Sequence, residues 1–133
     1  MGIIENLVGK KLLAYRGGVG DDALHLLFDS AEKVLLNHSQ DCCESVTLTD
    51  ITGDMNDLVG ETLLFAEETV DSKQDTESYD SVTYTFYRFR THKGSVDIRW
   101  TGSSNGYYSE SVDVELVKMT MEEYLNAVEN DVW

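Results

Sequence analysis

Two short runs hold the side chains most able to do chemistry in this chain. The first is His38-Ser39-Gln40-Asp41-Cys42-Cys43-Glu44, where imidazole, thiol and carboxylate groups crowd together. The second is Arg99-Trp100-Thr101-Gly102-Ser103-Ser104-Asn105-Gly106-Tyr107-Tyr108-Ser109-Glu110. In the first run a Cys–His nucleophile pair is conceivable, with His25, His38 and His92 as candidate bases. A zinc site needs ligands from paired chain segments, and this run is the sole cluster of its kind. In a strand, Cys42 and Cys43 would also point to opposite faces. The favoured reading is one buried Cys in the core and a polar cluster of His38, Asp41, Cys43 and Glu44 closing a loop.

The second run suggests binding. Arg chelates and stacks, Asn donates and accepts, and Tyr offers a flat face. Arg99, Asn105, Tyr107, Tyr108 and Glu110 are therefore the candidate binding residues. Trp100 is expected to anchor the loop beside Ile98 and Tyr87, with Gly102 and Gly106 permitting the turns. Four of the ten basic residues, Arg88, Arg90, Lys93 and Arg99, fall in one hairpin. Internal pairing competes with a ligand there, since Arg88 falls opposite Asp97 in the expected register.

Other motifs fail on inspection. Gly53-Asp54-Met55-Asn56-Asp57 suggests calcium ligands, but Phe65 stands where the bidentate acid belongs. Gly17-Gly18-Val19-Gly20 lacks the Lys and Ser/Thr of a phosphate loop. No catalytic residue, metal or cofactor is expected.

The elements that position these groups follow from alternation and turn signals. Strands are expected at 11–18, 23–28 and 33–37 as an antiparallel meander, then at 45–51 and 63–66. Asp54 caps a short helix that stops at Gly60. Val82–Arg90 and Ser95–Trp100 form a hairpin through Thr91-His92-Lys93-Gly94, setting Phe89 against Val96, Tyr87 against Ile98 and Thr85 against Trp100. A further strand runs from Tyr108 to Leu116. Residues 67–80 hold six acids against Lys73 without periodicity, which predicts a mobile acidic loop. At the C-terminus, Thr120 and Glu123 fit a capping box, and Met121, Tyr124, Leu125 and Val128 form one apolar stripe over 120–131. The expected fold is α+β: a curved, mainly antiparallel β-sheet with one short internal helix and a C-terminal amphipathic helix, in a single domain over 1–133.

Charge sets the partner class. The chain has 25 acidic and 10 basic residues, a net charge of −15. Such a surface repels nucleic acid and anionic membranes, and it suits a basic protein surface. No apolar run approaches the roughly 20 residues that span a bilayer. The first residues have neither a secretory pattern nor a myristoylation pattern. Adjacent Cys42 and Cys43 are too strained to bridge each other, so free thiols and a reducing cytoplasm are expected.

Several stretches resemble an uncharacterised domain of tailed bacteriophages and prophages. They are Asp41-Cys42-Cys43-Glu44-Ser45-Val46, Asp50 through Gly60, Ala66-Glu67-Glu68, Thr85-Phe86-Tyr87 and Arg99 through Glu110. The resemblance covers roughly residues 10–117 and leaves the C-terminal helix outside. It implies a viral origin and a cytoplasmic site of action, and supplies no catalytic residues. Together these readings predict a non-enzymatic phage accessory protein that binds a host component, with inhibition of a host defence system as one form of that role. The alternative is a binder of a small anionic ligand, such as a nucleotide signal, at the Arg99–Tyr108 loop.

Overall fold

The computed structural model describes residues 2–39, 44–74, 81–105 and 109–133. Among these residues, eight antiparallel strands sort into two four-stranded sheets. The first sheet holds β1 (Leu12–Arg16), β2 (Ala23–Phe28), β3 (Glu32–Asn37) and β8 (Asp113–Lys118) in the order β1-β2-β3-β8. The second holds β4 (Ser45–Thr52), β5 (Phe65–Gln74), β6 (Ser81–Arg90) and β7 (Ser95–Ser104) in the order β4-β7-β6-β5. Helix α1 (Met121–Asn130) follows β8. The mainly antiparallel α+β character matches the sequence expectation, with the strands divided between two sheets.

Alternation builds the core. Leu24, Leu26 and Phe28 of β2 and Val34 and Leu36 of β3 share one buried cluster with Tyr87 and Phe89 of β6 and Val96, Ile98 and Trp100 of β7. The β6–β7 register sets Phe89 against Val96, Tyr87 against Ile98 and Thr85 against Trp100, as the four-residue turn requires. That turn closes with the Thr91 N–H donating to the Gly94 carbonyl at 2.8 Å. Asp54 caps a 3-10 turn at Met55–Asp57, its carboxylate accepting from the Asn56 N–H. Burying a large apolar side chain contributes about 1.5–3 kcal/mol, so this cluster holds the two sheets together.

Three local expectations are corrected. Residues 67–74 are not a loop: they belong to β5, which pairs with β6 from Phe65↔Arg90 to Gln74↔Ser81. As an edge strand, β5 has no need of an apolar alternation, because β6 supplies its ladder and charged side chains suit an exposed edge. The rest of the expected loop, 75–80, lies outside the described residues. Thr101–Ser104 extend β7 rather than opening the loop. The strand expected from Tyr108 begins at Asp113.

Helix α1 has the full capping box, with the Glu123 N–H donating to Thr120 Oγ1 and the Thr120 N–H donating to Glu123 Oε1. Its apolar stripe, however, faces outward: Met121, Leu125 and Val128 are exposed, and Ala127 is the residue it buries. The helix is fixed by polar and aromatic contacts at its end. Arg16 of β1 pairs with Asp131 at 2.8 Å and stacks over the Trp133 ring, which meets His25 of β2 edge-on. Among the described residues, no helix is long and apolar enough to cross a membrane.

Candidate functional site

The fold brings parts of both chemistry-bearing runs to one end of the molecule. His38 follows β3, Glu44 precedes β4, Asn105 follows β7, and Glu110 precedes β8. The His38 ring links the segment before β4 to the segment before β8. Its Nδ1 lies 2.8 Å from the Ser111 carbonyl oxygen and its Nε2 lies 3.1 Å from Glu44 Oε1. Both side chains are almost fully buried, at 5% and 1% exposure. The ring thus bridges the Ser111 carbonyl and the Glu44 carboxylate, and these buried contacts fix the two segments that carry them.

Glu110 is the second buried acid at this end of the molecule. Ser81 Oγ and Thr83 Oγ1 donate to its Oε1 at 3.1 and 2.8 Å, and Ser104 Oγ donates to its Oε2. Strand geometry explains the convergence. Ser81 and Thr83 stand two apart on the inner face of β6, and the β6–β7 register places Ser104 opposite Ser81 and Gly102 opposite Thr83. Small residues at this end of β7 leave the inner face open, and the Glu110 segment fills it. Gly102 is therefore a close-approach position rather than a turn residue. An open groove of about 610 Å³ adjoins this network, lined by Glu44, Ser45, Ser81, Val82, Ser103, Ser104 and Asn105.

Arg99 is placed elsewhere. It sits on the outer face of the second sheet, paired in register with Asp50 and Phe86, and its Nε–H donates to Thr49 Oγ1 at 3.4 Å. Five strand residues separate Arg99 from the end of β7, about 16 Å at 3.3 Å per residue. Arg88 faces Asp97 across the hairpin as expected, with 3.8 Å between charged atoms. Asp41, Cys42, Cys43, Gly106, Tyr107 and Tyr108 lie outside the described residues. Among the described residues, no three His, Cys, Asp or Glu side chains stand together as metal ligands.

Ser81, Thr83 and Ser104, which hold Glu110, and the Ser111 carbonyl, which meets His38, were not among the expected site residues. The i, i+2 spacing of Ser81 and Thr83 was the available signal, since it sends both hydroxyls to one face.

The family described as Domain of unknown function (DUF7448) matches residues 5–114. The chain belongs to the DUF7448 family. The match takes in the two sheets up to the start of β8, and with them His38, Glu44, Arg99, Asn105 and Glu110. Helix α1 and its Arg16–Asp131 tether lie beyond the matched DUF7448 residues on the helix side. No curated protein and no solved structure matches the chain.

Proposed function

We propose that this chain is a non-enzymatic binding protein whose acidic surface engages a basic partner protein. The observation that carries this reading is the charge of −15 on 133 residues. A surface of one sign steers complementary partners and raises their association rate. The buried acids at the candidate site support it: Glu110 is engaged by three hydroxyls and Glu44 by His38, roles that stabilise loops. The finer reading is a phage accessory protein that acts on a host component in the host cytoplasm, inhibition of a defence system being one form. It rests on the likeness of Asp41–Val46 and Arg99–Glu110 to phage domains. A small anionic ligand at the loop would draw on Arg99, which faces the outer side of the second sheet instead.

The test is capture from a bacterial lysate on the immobilised chain, with proteins and released small molecules identified by mass spectrometry. Captured proteins should carry basic surfaces and elute as salt rises from about 50 to 500 mM, where the Debye length shrinks several-fold. Capture indifferent to salt, or a small anionic molecule recovered in place of a protein, would overturn the proposal.

A further inference from the structure

We infer that the outer edge of β5, from Thr69 to Lys73, takes a basic extended segment of the partner by strand addition. This rests on the reading of the acidic surface as a docking surface for a basic protein.

Beyond Glu68, whose outward N–H is taken by Glu5, the edge is open to a strand. β5 ends the second sheet and pairs on one side only, with β6. Glu68, Thr69, Val70, Asp71, Ser72 and Lys73 are all exposed. The Glu68 N–H points away from β6 and donates to Glu5 Oε2 at 2.8 Å. In an antiparallel ladder such outward groups recur at every second residue, so Val70 and Ser72 also turn their N–H and C=O outward. Two other edges are covered. The Leu48 N–H and C=O of β4 are bonded by Asp21 and Gly20, and those of Leu12 in β1 by Glu61 and Gly60.

The charge on this edge selects the occupant. Across the ladder Glu67 faces Arg88, but Glu68 faces Tyr87 and Asp71 faces Tyr84, neither a cation. Glu5 adds a third carboxylate at the start of the stretch. Side chains alternate along a strand, so Glu68 and Asp71 lie on opposite faces of β5, and a segment with lysine or arginine three residues apart places one cation beside each. Main-chain hydrogen bonds would supply affinity, and the acids would supply the preference for a basic segment.

The probe is a synthetic peptide of valines with lysine at every third position, as long as β5, titrated into the full chain at about 50 mM salt. Saturable binding is expected, with the Val70 and Ser72 amides gaining protection from hydrogen exchange. N-methylating alternate peptide amides keeps the charge and removes the ladder, and should weaken binding at least about tenfold. Val70→Pro should do the same, since proline at an outward edge position leaves the β5–β6 ladder intact. Glu68→Lys with Asp71→Lys, both exposed, provides a second variant whose loss of binding is also expected. If the peptide binds but neither N-methylation nor Val70→Pro weakens it, strand addition is wrong and the acidic-surface reading stands. If the peptide fails while lysate capture is salt-sensitive, strand addition again falls alone, and the acids of β5 serve only to keep the edge from self-pairing. If capture is also indifferent to salt, both readings fall.

Discussion

A Cβ built on Gly102 would stand 2.4 Å from the carbonyl oxygen of Glu110. That closeness ties the end of β7 to the segment preceding β8. The obstacle is backbone, so it cannot rotate away. Gly102→Ala is predicted to cost about 1–3 kcal/mol, the usual penalty for overpacking a tight contact. Urea unfolding of the two proteins checks it, and equal midpoints would show that the Glu110 segment yields freely.

Trp100 is fully buried between the two sheets. Trp100→Ala is predicted to lower unfolding free energy by about 3–5 kcal/mol. Arg99→Ala, one residue away on the solvent face, should change it by less than about 1 kcal/mol. Similar losses in the two variants would contradict the inward–outward alternation of β7.

Glu110 accepts from three hydroxyls in a buried setting. Hydrogen bonds to a charged group are worth about 1.5–3 kcal/mol, and three on one carboxylate do not add fully. Glu110→Ala is predicted to cost at least ~2 kcal/mol, with Glu110→Gln recovering part of it. Thermal unfolding would decide, and an Ala variant as stable as the parent would show the network to be energetically idle.

Much of this was readable from residue order. The β6–β7 register followed from a four-residue turn and an unbroken apolar alternation, which leave one pairing that buries Tyr87, Phe89, Ile98 and Trp100 together. β5 was not readable, because Glu67-Glu68-Thr69-Val70-Asp71 has no apolar period and its ladder comes from a neighbour. The Gly102-Ser103-Ser104 stretch looked like loop because small residues are ambiguous: they also occur where another backbone must approach. The outward stripe of α1 was equally hidden, since Arg16 and His25 hold Trp133, just past the helix end, from distant strands. At the site, His38 and Glu44 were visible as a polar cluster, whereas the hydroxyl partners of Glu110 depend on strand register.

Stability should fall with acid in two stages. Burial, then the nearby Lys33 and Arg16 charges, hold His25 below its ordinary value of 6.5. The unfolded chain therefore takes up that proton more readily, and stability is lost as pH falls below about 6.5. Lys10 and then Ser30 donate to Glu32 and hold its carboxyl below 4.5. That contribution is present above about 4.5 and is lost as pH falls through the lower folded value. Unfolding free energies from pH 7.5 to 3.5 should show both declines, and His25→Asn should abolish the first alone. An unchanged upper decline in that variant would assign it to another group.

The association rate of a captured partner tests most directly whether the acidic surface recruits a basic protein. Stopped-flow or surface-based measurements at about 20 and 500 mM salt should show the on-rate falling at least about tenfold, because screening removes the steering field. An on-rate that stays flat across that range would contradict the account.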